Sequence, residues 1–137
     1  MISLTKDPAI MSENEIATVV IGICIEIHRK WGPGLLESVY EALLVHHLRA
    51  RGFFVEQQLS IPFEEDGVKL KVGFRADVIV EKKLLVELKS VEIMHPVYFK
   101  RTLTYIRILH LKLGLLINFT EAYLKDGITR VINGILE

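Results

Sequence analysis

Three residues in the middle of the chain have the types and the spacing of a site that acts on phosphate through a metal ion. Asp77 lies in one run of alternating apolar residues, and Glu87 and Lys89 lie two residues apart in the next run. Carboxylate oxygens are the ligands that Mg²⁺ and Mn²⁺ prefer. An ammonium group beside them can orient or help deprotonate a water molecule, or neutralise charge that develops on a phosphate. The set therefore predicts metal-assisted hydrolysis of a phosphodiester bond.

The turn between the two runs predicts how these side chains are brought together. If the hairpin turns at Lys82, Asp77 lies directly opposite Glu87. Because side chains alternate along a strand, Asp77, Glu87 and Lys89 project from one face. The other face then carries the apolar residues Val78, Val80, Leu84, Val86 and Leu88. Two opposed carboxylates repel each other, and a divalent cation converts that repulsion into coordination.

A purely structural interpretation accounts for the same residues. Glu87 and Lys89 would be solvent-facing residues of an amphipathic strand, and Asp77 would form an ordinary ion pair with Arg75. Asp and Glu-x-Lys are common in strands, so the pattern by itself leaves both interpretations open.

Hydrophobic periodicity predicts the elements that must position these residues. Ser12 and Glu15 have the spacing of a capping box, and a first helix then runs to about Lys30. A second helix is predicted over about 35–51, strands over 53–63, 68–80 and 84–91, a third helix over about 96–110, and strands over 111–119 and 128–132. The order αα-βββ-α-ββ predicts an α/β (α+β) fold in which helices flank one mixed central β-sheet.

Length and composition predict one domain and no general affinity for nucleic acid. The chain has 137 residues, of which 50% are hydrophobic and 25% charged, which is typical of a globular domain over residues 1–137. We expect residues 1–12 to form a loosely ordered N-terminal segment. The 17 basic and 17 acidic residues give a net charge of zero, so any binding to nucleic acid must be local.

Cysteine content and hydropathy indicate a cytoplasmic protein without a membrane partner. Cys24 is the only cysteine, which excludes an intrachain disulfide, and no Cys/His group has zinc-site spacing. The apolar stretch from Ile16 to Ile25 is about half the length that crosses a bilayer. The first 14 residues lack the cationic start of a secretion signal.

Four blocks of the sequence resemble a known family. The stretch Gly34-Leu35-Leu36-Glu37-Ser38-Val39-Tyr40 resembles the signature of the GxxExxY proteins, a branch of the PD-(D/E)XK nuclease superfamily. Residues 74–80, 86–90 and 111–119 resemble further blocks of that family, and the resemblance runs from about Ile16 to Asn133. It implies a restriction-endonuclease-like fold.

The resemblance also implies roles for individual residues. Asp77 and Glu87 would be metal ligands, Lys89 the catalytic lysine, and Glu37 a further catalytic and metal-binding acid from the second helix. A structural alternative for Glu37 is that a carboxylate in the first turn of a helix stabilises the helix dipole. Tyr40, one turn further on, is either a core aromatic residue or a supporting residue of the site.

Two positions depart from the family pattern. Ala76 stands where a proline often precedes the first acid, and the chemistry stays with Asp77. Arg101 lies four residues before Tyr105, where many relatives carry glutamine. Arg101, together with Arg75, could bind a phosphate, or the change could mark an altered activity. Tyr105 is a candidate supporting residue.

The resemblance and the residues together predict a Mg²⁺- or Mn²⁺-dependent nuclease that cuts nucleic acid, DNA ahead of RNA. The alternative is a catalytically silent nuclease-fold module that binds nucleic acid or a protein partner. A partner that delivers the substrate, or a homodimer, is compatible with either prediction.

Overall fold

The computed structural model describes residues 6–136, apart from the side chains of residues 71 and 72. The elements are α1 (Glu13–Trp31), α2 (Glu37–Ala50), β1 (Val55–Glu65), β2 (Val68–Val80), β3 (Leu84–Lys89), α3 (Pro96–Ile108), β4 (Leu113–Asn118) and β5 (Ile128–Ile132). Short 3-10 turns at Pro8–Ile10 and Leu124–Gly127 complete the described part. The predicted element order is confirmed, with boundaries that differ by a few residues.

The starts of the first two helices follow from local hydrogen bonds. The predicted capping box is confirmed, because the Ser12 hydroxyl accepts the Glu15 N–H at 3.2 Å and the Glu15 carboxylate accepts the Ser12 N–H at 3.0 Å. α2 begins at Glu37, two residues later than predicted. The Leu35 N–H donates to the Tyr40 hydroxyl at 3.0 Å, which holds the preceding chain in an extended turn.

The strands form one five-stranded mixed sheet in the order β1-β2-β3-β4-β5. β1, β2 and β3 form an antiparallel meander, which includes the predicted hairpin of β2 and β3. β4 pairs parallel to β3, and β5 pairs antiparallel to β4. A parallel pair needs a long crossover connection, and α3 provides it. The sheet therefore confirms the predicted fold class.

Helices cover both faces of the sheet. The predicted apolar face of the β2–β3 hairpin packs in the core formed with α1 and α2. On the opposite face, Ile79 and Leu85 pack against Tyr105 and Ile106 of α3. β4 is buried along its whole length, which is typical of a strand covered on both sides. The acidic residues of the hairpin consequently lie on the α3 side of the sheet.

The segment before α1 is tied to the hairpin turn. The Lys83 ammonium donates to the carbonyls of Ala9 and Met11 at 3.0 and 2.8 Å, and Lys6 forms an ion pair with Glu15 at 2.8 Å. Residues 1–5 of the segment predicted to be loosely ordered lie outside the described residues. In the range 6–136, none of the helices has the length and apolar character needed to cross a membrane.

Candidate active site

The β2–β3 register brings Asp77 and Glu87 together. Val78 pairs with Val86 and Val80 pairs with Leu84, so the next position along places Asp77 opposite Glu87, as predicted. The backbone ladder ends at this point. The Asp77 Oδ2 atom accepts the Leu88 N–H at 3.0 Å, so a side-chain hydrogen bond takes the place of the next ladder bond. The two strands therefore open where the carboxylates meet.

Glu87 is buried with part of its carboxyl group unpartnered. Its side chain is 7% exposed, and its buried Oε1 atom has no hydrogen-bond partner in the part of the chain that the structure describes. Burial raises the pKa of Glu87 to about 10, helped by a hydrogen bond to Asp77 and by the negative charge of Asp77. The structural interpretation of Glu87 as a solvent-facing residue is therefore wrong. Among the described side chains the one ion pair joins Lys6 to Glu15, so the alternative Asp77–Arg75 ion pair does not form either.

Cations from three elements, β2, β3 and α3, surround the acidic pair. A cavity of about 90 Å³ is lined by Arg75, Asp77, Glu87, Lys89, Tyr98, Arg101, Thr102 and Tyr105. The Lys89 ammonium lies 4.7 Å from the centre of the Tyr98 ring, a cation–π contact that holds it at the cavity. Arg101 and Tyr105 reach the same cavity because they are four residues apart on one face of α3. The structure thus brings together six of the residues that the sequence singled out.

Tyr105 lies between the hairpin and the helix. Its side chain is 7% exposed and its ring lies 5.2 Å from that of Phe74. Burial raises the pKa of Tyr105, the negative charge of Glu87 raises it further, and the positive charge of Arg101 lowers it. The hydroxyl consequently stays protonated at neutral pH and remains a hydrogen-bond donor beside the acids.

Glu37 lies on the other side of Asp77. The two acids line a separate open cleft of about 660 Å³ between α2 and the ends of β1 to β3. The Glu37 Oε1 atom accepts the Ser90 N–H at 3.0 Å, which fixes the start of the segment that follows Lys89. Within residues 6–136, no group of three or more His, Cys, Asp or Glu side chains is arranged as a metal site. Asp77 and Glu87 therefore form a two-carboxylate group, and the metal-binding role of Glu37 stays a prediction.

Tyr40 faces away from both cavities. Its side chain is fully buried, and its ring stacks on Phe119 with the ring centres 4.0 Å apart. Its hydroxyl donates to the Gly32 carbonyl and accepts the Leu35 N–H. Tyr40 thus acts in the core, where it holds the turn from which α2 and Glu37 start.

Two residues of the acidic cleft were missed by sequence reasoning. Glu41 lies one turn after Glu37 and lines the same cleft, and burial raises its pKa. The Gln58 amide donates to Glu41 at 2.8 Å and to Asp77 at 3.3 Å. The spacing of Glu37 and Glu41 was an available signal for a shared helix face. For Gln58 the sequence carries no such signal.

A mixed sheet whose central strands present Asp and Glu-x-Lys to a helix-lined cavity defines the class of restriction-endonuclease-like proteins. The sequence model of the PD-(D/E)XK nuclease superfamily matches residues 14–131. The chain belongs to this superfamily, whose nucleases generally use divalent metal ions. Its assignment to the GxxExxY branch stays a prediction. No curated protein and no solved structure gives a significant match to the chain.

Proposed function

We propose that the protein is a Mg²⁺- or Mn²⁺-dependent nuclease that hydrolyses phosphodiester bonds, in DNA ahead of RNA. The observation that carries the proposal is the buried Oε1 atom of Glu87, which lies beside Asp77 and has no hydrogen-bond partner among the described residues. A buried, unpartnered carboxylate oxygen is costly unless a cation satisfies it. The donor set therefore fits a hard divalent ion.

Asp77 and Glu87 are the residues that would hold the ion. Mg²⁺ commonly takes one or two carboxylates and completes its shell with water and substrate phosphate oxygens, so a third protein ligand is not required. When bound, such an ion supplies Lewis-acid stabilisation of the phosphate and lowers the pKa of an attacking water. The release of the Glu87 proton turns its carboxyl group into a ligand.

The cations around the cavity have separate tasks in the proposed reaction. Lys89, held against Tyr98, orients the attacking water or neutralises charge that develops on the phosphate. Arg75 and Arg101 bind phosphate oxygens from β2 and α3, and their forked donors suit that geometry. The Tyr105 hydroxyl lines the same cavity and is available there as a hydrogen-bond donor. Glu37 acts from the other side of Asp77 by holding the chain that follows Lys89.

We also propose a cytoplasmic setting for this activity. The free thiol of Cys24 is buried, which suits a reducing cytoplasm. A net charge of zero gives little general attraction to nucleic acid. We therefore propose that a protein partner or a second copy of the chain helps to deliver the substrate.

The test is calorimetric titration of Mn²⁺ and Mg²⁺, paired with cleavage assays on single- and double-stranded DNA and RNA. We expect wild type to bind the ion and cut DNA, and Asp77→Ala to lose both properties. Lys89→Met should retain metal binding and lose cleavage by roughly 100-fold or more, because it removes a charge that acts on the reacting groups.

Matched controls are available for both substitutions. Asp126→Ala and Lys112→Met change exposed residues that line neither cavity, and both should leave binding and cleavage unchanged. Metal binding by wild type without cleavage of any substrate would favour the catalytically silent module. No metal binding by wild type would make the acidic pair structural and would exclude the proposed reaction.

A further inference from the structure

Gln58 has an unusual backbone conformation directly opposite Asp77. Gln57 pairs with Val78 and Leu59 pairs with Ala76, so the β1–β2 register places Gln58 across from Asp77. The φ angle of Gln58 is +49°, in the left-handed region that residues with a Cβ atom rarely adopt. Strained conformations of this kind persist where the surroundings enforce them, and they concentrate at functional sites.

The left-handed residue changes where the side chains of β1 point. In a regular strand, Gln57 and Gln58 would project to opposite faces of the sheet. Instead, both amides donate to the same carboxylate, that of Glu41, at 3.1 and 2.8 Å. The strain at Gln58 thus directs its amide into the cleft beside Asp77.

The Gln58 amide contributes to a fixed orientation of the Asp77 carboxylate. Its Nε2 atom donates one hydrogen to Asp77 Oδ1 at 3.3 Å and the other to Glu41 Oε1 at 2.8 Å. The Leu88 N–H holds Asp77 Oδ2 at 3.0 Å. Both oxygens of Asp77 are therefore held by donors from the neighbouring strands, and the amide separates two like charges.

We propose that Gln58 is a positioning residue, which uses a strained strand backbone to aim Asp77 at the metal and to keep the Glu41 carboxylate away from it. The inference rests on the proposed function, because it assigns Asp77 a metal to hold. Groups that orient metal ligands typically change metal affinity or activity by roughly 10- to 100-fold when they are removed.

The test compares Ala and Gly at two neighbouring glutamines. Gln58→Ala and Gln58→Gly both remove the amide, but only glycine relieves the left-handed backbone. We expect both variants to bind Mn²⁺ roughly 10- to 100-fold more weakly and to lose kcat with little change in KM. The Gly variant should nevertheless unfold about 3 °C higher than the Ala variant.

Gln57 is the matched control because it donates to Glu41 without contacting Asp77 and lacks the positive φ angle. Gln57→Ala and Gln57→Gly should keep the Mn²⁺ affinity of wild type. Their order of stability should be the ordinary one for a strand, with Ala about 2 °C above Gly. Circular dichroism at the titration temperature checks that all four variants are folded.

The outcomes separate the inference from the proposed function. If Mn²⁺ affinity followed stability, with only the Ala variant of Gln58 impaired, Gln58 would be a structural residue and the inference would be overturned. Equal weakening by the Gln57 variants would overturn it as well. If both Gln58 variants bound Mn²⁺ and cut DNA as well as wild type does, the inference would be overturned and the proposed function would stand. If wild type neither bound Mn²⁺ nor cut nucleic acid, the proposed function would be overturned, and so would the positioning role that rests on it.

Discussion

At the scale of single residues, Glu87 is a buried acid whose ionisation depends on folding. Its pKa is raised to about 10 from the ordinary value of 4.5, first by burial and then by Asp77. The folded protein therefore keeps a proton that the unfolded chain releases above about pH 4.5. The stability contributed by this group is full below that pH and is lost as the pH rises towards 10.

This linkage predicts the behaviour of Glu87→Gln. Glutamine is uncharged at every pH and can still donate to Asp77, so the variant avoids the cost of keeping a buried acid protonated. In the presence of EDTA, we expect its free energy of unfolding at about pH 8 to exceed that of wild type by about 2 kcal/mol. We also expect it to bind Mn²⁺ far more weakly. Urea denaturation between about pH 5 and pH 9 measures the effect.

Glu64→Gln provides the control for this experiment because Glu64 is exposed on β1. Its free energy of unfolding should follow the wild-type pH profile. Identical pH profiles for wild type and Glu87→Gln would show that Glu87 ionises normally in the folded state and would contradict the burial argument.

At the scale of the elements, the turn before α2 determines where Glu37 lies. The Tyr40 hydroxyl forms hydrogen bonds with Gly32 and Leu35 on either side of that turn, and its ring stacks on Phe119, directly after the end of β4. Glu37, three residues earlier on the helix, then reaches the Ser90 N–H. Tyr40 therefore connects the core of the protein with the edge of the candidate active site.

Tyr40→Phe tests this connection. The substitution keeps the ring stack and removes two hydrogen bonds, so we expect the free energy of unfolding to fall by about 1–2 kcal/mol. The amide of Ser90 should also exchange its hydrogen faster, because Glu37 is held less firmly. Hydrogen exchange followed by NMR measures both effects. Tyr123→Phe changes a tyrosine that is 69% exposed and should alter neither quantity. If the amide hydrogen of Ser90 exchanged at the same rate in Tyr40→Phe as in wild type, the turn would not control the position of Glu37.

At the scale of the whole molecule, the absence of net charge makes any attraction to nucleic acid local. Arg75 and Arg101 come from β2 and α3 and line the cavity that holds the acidic pair. Since they are the cations proposed to contact phosphate, they should account for a measurable part of the salt dependence of binding.

The double variant Arg75→Gln/Arg101→Gln tests this distribution of charge. We expect the slope of log K against log salt concentration for a short DNA duplex to become shallower by about 2, or about 1 for each lost phosphate contact. Fluorescence anisotropy in Ca²⁺ measures binding without cleavage. Arg29→Gln/Lys125→Gln removes two exposed cations from a different cleft and should leave the slope unchanged. Equal slopes for the two double variants would rule out a phosphate-binding role for the arginines.

The amino-acid sequence by itself determined the order of the elements, the mixed sheet and the opposition of Asp77 and Glu87. The elements and the opposition of the two acids depend on neighbours along the chain: the helical and strand periodicities, a capping box at Ser12, and a hairpin turn near Lys82. The mixed sheet was inferred from the order of these elements. Periodicity and turn chemistry act over a few residues, so they are visible in one sequence without knowledge of the fold.

Only the tertiary structure decided how the acids divide between two cavities. Gln58, Glu41 and Asp77 come from three elements. The left-handed backbone at Gln58 could not be predicted from the residue type, because position 58 carries neither glycine nor asparagine. The buried Oε1 atom of Glu87, unpartnered among the described residues, likewise depends on the packing of α3 against the hairpin. Burial and contacts between distant segments exist only in the packed molecule, because they depend on which surfaces meet rather than on which residues are adjacent in the chain.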